Sequence, residues 1–194
     1  MVAGPVFFVV CLREGVSRVH YNPFRHPVSS LAIGHRGWVQ TANFHLAGVL
    51  SLLFAVGLWS TGPSHWGAAL IGLRGVGLLA AGAFRADPVS GYPPGTPGRP
   101  PRPTLTGILH NVLSLGEFVA LAVACFVFAS SGSPGWNVFS IASAGLFAVT
   151  MLLAAAAFHQ VPRLVEVGGL LQRAALAIAW TWHTALAVRI LLQT

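Results

Sequence analysis

Residues 37–60, GWVQTANFHLAGVLSLLFAVGLWS, decide the fold. The stretch contains no Asp, Glu, Lys or Arg, and Trp38 and Trp59 stand near its two ends as interfacial anchors do. A helix crosses a bilayer with about 20 apolar residues, so this is a membrane span. Its beginning is nevertheless polar, with Gln40 and Asn43 following HPVSSLAIGHR at 26–36. Polar groups there are costly unless they are paired or used.

Working outward, the whole chain carries the same signal. Of its 194 residues 55% are hydrophobic and 8% charged, with a mean hydropathy of +0.72; a soluble domain holds about 25% charged residues. Spans are expected near 3–20, 37–60, 66–85, 105–129, 136–159 and 167–192. They make one all-α transmembrane bundle with no soluble domain beside it. Arg13 and Glu14 interrupt the first span, and the N-terminus is read as part of that span and not as a cleaved signal.

Arginine sets the expected orientation. Arg18, Arg25, Arg36, Arg85, Arg99, Arg102 and Arg163 fall in three connections on one side, against Arg189 near the other. Those connections should be cytoplasmic, with both termini outside a plasma membrane. The net charge of +7 forms no basic face, so no nucleic-acid partner is expected. Cys11 and Cys125 lie far apart in apolar runs, which argues against a disulfide or a metal site. Phosphate loops, HExxH and nucleophile elbows are absent, and no internal repeat suggests a transporter.

At about 1.5 Å rise per residue, Glu14, Gln40, Asn43, His110 and Arg173 fall roughly 5–10 Å below the basic side, and Arg74 with Glu117 roughly 16–18 Å below it. Thr106, His110, Ser114 and Glu117 form one stripe on the fourth span. Two polar layers would give a pocket open to the cytoplasm. Arg74 and Glu117 read equally as part of that pocket or as a structural ion pair.

HPVSSL, GWVQTANF, DPVSGYPPG (87–95), TLTGILH (104–110) and GLLQRAALAIAWTW (169–182) together resemble the domain of unknown function 998 family of small bacterial membrane proteins. The resemblance spans nearly the whole chain. It implies a bundle of about six helices and no established general activity. The family's recurrent polar positions fall on His26, Ser29, Trp38, Gln40, Asn43, Asp87, Pro88, His110, Gln172 and Arg173; His45 and Glu117 stand outside its pattern. The Pro-rich loop at 86–104 is a lid or a flexible linker, with Gly91 and Tyr92 so near Asp87 favouring the lid.

Carboxyls beside aromatics suit acid-initiated chemistry on an apolar substrate, because a carboxyl in a low-dielectric site keeps its proton for an alkene or epoxide. Membrane-embedded terpene cyclases are similar in size and apolarity. On that reading Glu14 or Asp87 donates the proton and His110 tunes it. Trp38, Phe44, Trp180 and Trp182 stabilise the cation, while Gln40, Asn43, Tyr92 and Arg173 complete the binding set for a prenylated or lipidic small molecule. No cofactor is called for. The alternative is a non-catalytic binder of membrane lipid or another hydrophobe, and a less favoured one is haem held by His45 and His110.

Overall fold

A computed structural model describes residues 2–130 and 133–193; Ser131 and Gly132, in the expected SSGSPG connection, lie outside the described residues. Six helices follow one another: α1 (Ala3–Ser17), α2 (Gly37–Thr61), α3 (His65–Ala83), α4 (Leu105–Ala129), α5 (Pro134–Phe158) and α6 (Gly168–Leu191). All but α1 are long and apolar enough to cross a membrane. The protein is therefore an all-helical, multi-pass membrane protein. With 15 residues, α1 reaches only about 22 Å along its axis, short of a hydrocarbon core of about 30 Å. The helix ends at Ser17, where the expected first span ran on to His20.

Local chemistry sets the helix ends. Ser64 and Thr104 accept the backbone N–H of Gly67 and Gly107 as N-caps of α3 and α4, and Pro134 opens α5 where its missing N–H costs nothing. Each helix packs on its chain neighbours, and α1 closes the ring against α6.

Two apolar clusters fill the ring. One gathers Leu58, Ile71, Leu121, Phe128, Phe147 and Trp182; the other gathers Phe7, Phe44, Leu78, Leu176 and Trp180. Arg74 sits between them on α3, a turn from Ile71 and from Leu78. A third, smaller cluster of Tyr21, Leu31 and Tyr92 lies among the basic connections.

Glycine brings α2 and α3 into backbone contact. A Cβ at Gly48 would stand 2.9 Å from the Gly75 carbonyl, and one at Gly75 would stand 3.0 Å from the Gly48 carbonyl. Gly48→Val should therefore push the two helices apart and lower stability by about 1–3 kcal/mol. Detergent unfolding of the variant beside Gly57→Val, where a Cβ meets nothing within 4 Å, checks this; equal loss in both would reject it.

Candidate functional site

The polar residues at the basic end are drawn together by Arg173. Its Nη1 donates to the carbonyls of Pro23 (2.6 Å), His26 (3.1 Å) and Gly169 (3.0 Å), and its Nη2 to the Tyr21 hydroxyl at 2.6 Å. Tyr21 in turn donates to the His26 and Pro27 carbonyls. Burial pushes its phenol up to about 12, despite the opposing pull of Arg173, so it remains a donor. Gln172 accepts the Val28 N–H at 2.7 Å. The first connection is thus folded flat across the start of α6.

The Pro-rich loop is fastened to the same cap. The Tyr92 ring lies 5.2 Å from both Tyr21 and His26, and Arg25 holds the Ser90 carbonyl at 3.1 Å while pairing with Glu166 at 2.9 Å. Arg173 and Tyr92, expected to touch substrate, are both buried in these structural contacts.

Each residue expected to do acid chemistry is likewise engaged. Glu14 is buried and paired with Arg18 at 3.1 Å and with Arg36; Arg18 also donates to the Ile33 and Arg36 carbonyls. Asp87 accepts both the N–H and the hydroxyl of Thr104, at 3.0 and 2.6 Å, and so fixes the cap of α4. His110 bonds the Phe84 carbonyl at 2.9 Å and ties α4 to the end of α3.

Gln40, Asn43 and Cys11 meet between α1 and α2, with Asn43 donating to the Phe7 carbonyl at 3.1 Å. Phe44 packs on Phe7. Trp38 is 69% exposed and points out of the bundle, so it joins none of the others. Trp182 lies in the core, its indole N–H donated to Ser140 at 3.0 Å. The two polar layers do not meet in one basin, because the first connection covers the shallow layer and apolar side chains separate it from the deep one.

That deep layer is Arg74 and Glu117, wholly enclosed, with Arg74 Nη1 at 3.2 Å from Glu117 Oε2. Arg74 also lies over the Trp180 ring, 4.6 Å from its centroid, and Trp180 stacks obliquely on His183. His183 and Ser51, both buried here, stood in apolar runs that offered no motif to single them out.

A sizeable opening lies elsewhere. A groove of about 860 Å³ runs down the flank of α6, lined among others by Gly4, Phe8, Trp136, Trp180, Thr184 and Arg189. It spans residues 177–193 of the α6 side, about 24 Å of helix axis. Arg189 stacks over Trp136 at 5.1 Å near one end. Of the expected site residues only Trp180 reaches this groove. The sequence signals for it were the shortness of the first apolar run and the lone arginine opposite the basic side.

The family model described as protein of unknown function (DUF998) matches residues 1–189. The chain belongs to the DUF998 family. No curated protein and no solved structure gives a significant match. In this DUF998 chain, HPVSSL, DPVSGYPPG and GLLQR come together in the cap, through His26, Tyr92, Gln172 and Arg173.

His26 makes the cap sensitive to pH. Its Nδ1 accepts the Asn22 N–H at 2.9 Å, and burial, then Arg25, hold the ring below its ordinary value of 6.5. The folded cap therefore favours the neutral ring, and the unfolded segment takes up the proton first. Stability from this group is complete above about pH 6.5 and declines as pH falls below it. Protection of the amides in residues 21–28, taken relative to their intrinsic exchange rate at each pH, should fall between pH 7.5 and 5.5 in the wild type and change less in His26→Asn; identical profiles would remove His26 as the cause.

Removing one member of the deep pair strands a charge in the interior. Arg74→Ala and Glu117→Ala should each destabilise the bundle strongly, and the double variant should cost less than their sum, with a coupling of about 0.5–3 kcal/mol. Additive losses in a double-mutant cycle would show that the pair is not coupled.

Proposed function

We propose that this protein is a non-catalytic binder of a lipidic molecule, held in the groove along α6 with its polar head near Arg189. The groove itself carries the reading. It is large, walled mainly by apolar and aromatic side chains, and open along the flank of α6. A site of this kind takes an apolar chain and uses a few polar groups for orientation. Arg189, stacked on Trp136, is a cation that suits a phosphate or carboxylate head.

Acid-initiated cyclisation is supported less well by the same geometry. It needs a protonated carboxyl facing an apolar cavity, whereas Glu14 faces two arginines and Asp87 caps a helix. The proposal further puts the protein in the plasma membrane with its three basic connections in the cytoplasm, on the strength of the arginine asymmetry. On that orientation Arg189 meets the outer headgroup region.

The test is lipid extraction and mass spectrometry of protein purified in mild detergent. Ala185→Trp fills the groove wall and should cut co-purifying lipid about tenfold, equivalent to about 1.4 kcal/mol. Leu73→Trp, on the exposed face of α3, should leave it unchanged, and Arg189→Gln should reduce the share of anionic lipid. Equal lipid in wild type and Ala185→Trp would discard the groove as the binding site.

A further inference from the structure

Trp180 and Trp182 are both almost fully buried on α6, yet only one of them is satisfied. The Trp182 N–H reaches Ser140, while Trp180 Nε1 has no partner among the described residues. Arg74 Nε and Nη2, His183 Nδ1 and Ser51 Oγ are buried and unpartnered in the same way.

These atoms form one group. Arg74 covers the Trp180 ring and the Trp180 and His183 rings lie 5.4 Å apart. Gly48 against Gly75 and Gly72 against Ala55 bracket Ser51 on α2 at the level of Arg74. Buried polar groups nearly always find a partner in protein or water, and each one left over calls for an explanation. Guanidinium and indole N–H groups can only donate, so what completes this group must accept.

A small cavity of about 70 Å³ adjoins it, lined by Leu50, Phe54, His183 and Thr184 with Val2, Ala3 and Gly4 of the α1 start. One water needs about 10–15 Å³ of such space, so the cavity has room for several. Its position is set by α1, which runs antiparallel to α6: Gly15 faces Arg173 near the cap and Gly4 faces Trp180 and Thr184. The cavity thus lies on the side of the group away from the basic connections. Towards the cap the way is closed by Phe7, Phe44, Leu78 and Leu176.

We propose that the buried polar group of Arg74, Trp180, His183 and Ser51 is a water-binding site within the membrane, hydrated through the cavity that His183 lines, from the side opposite the basic connections. Water there reaches the Arg74–Glu117 pair through His183 and Trp180, on the side away from the cap. The site is independent of lipid in the groove, although Gly4 and Thr184 line both the groove and the cavity.

The two tryptophans supply the test in the unaltered protein. With ¹⁵N-labelled tryptophan in lipid nanodiscs, and signals assigned through Trp180→Phe and Trp182→Phe, the Trp180 indole N–H should exchange with water roughly tenfold faster than that of Trp182, which is held by a hydrogen bond. Equal protection of the two would overturn the proposal. Sidedness is read in vesicles from Phe54→Cys in a Cys11→Ala, Cys125→Ala background, with Arg102→Cys marking the connection face. A small membrane-impermeant thiol reagent should modify Cys at 54 only from the face opposite Arg102→Cys. Modification from the Arg102 face, or from neither, would overturn the proposed entrance.

Discussion

One guanidinium fixes the polar end of this bundle. Arg173 enters lipid depth on α6, where an unsatisfied charge is untenable, and finds its partners in the Pro23 and His26 carbonyls and the Tyr21 hydroxyl. Those atoms belong to a connection that forms only a short 3₁₀ turn at Val28–Ala32, so its backbone would otherwise turn to water. The arginine and the connection each supply what the other lacks. Once the connection lies flat, His26 and Tyr21 form the surface on which Tyr92 rests, and the Pro-rich loop is fastened in turn.

The all-helical membrane fold was legible in the sequence because hydropathy over about 20 residues is a one-dimensional quantity, and a span is its direct expression. The depth of Glu14, Gln40, Asn43 and Arg173 is also one-dimensional, and they do gather near one end. Azimuth and partner are not. Rise per residue could not say that Trp38 turns outward while Gln40, two residues on, turns inward to Cys11. Nor could it say that Glu14 meets Arg36, far along the first connection, as well as Arg18 just past the end of its own helix.

The groove and the cavity were less legible for a related reason. Both are lined by residues of several helices, Gly4 of α1 and Thr184 of α6 among them, a relation between helices that none states alone. Arg13 and Glu14 marked the end of the first apolar run, and in the structure they fall where α1 meets the polar cap. The helix is consequently aligned by its charged end, and its other end stands beside Leu50 and His183, partway along α2 and α6.

Buried atoms without a partner occur at both levels of the bundle, Ser30, Gln40, Ser90 and Arg173 Nε in the cap and Ser51, Arg74, Trp180 and His183 in the middle, but only the second set adjoins a cavity. At the basic end the charged atoms of Glu14 and Asp87, the His110 ring and both terminal nitrogens of Arg173 are tied to backbone, hydroxyl or opposite charge, and the family motifs that supply Asp87, His110 and Arg173 serve to build a cap. In the middle Arg74 has one carboxylate and two idle N–H positions, beside an indole and an imidazole in the same state. If stability alone had shaped this layer, apolar side chains of equal volume would serve as well or better. A polar layer left open inside lipid, next to a cavity and with an apolar floor towards the cap, is better understood as a place kept for water.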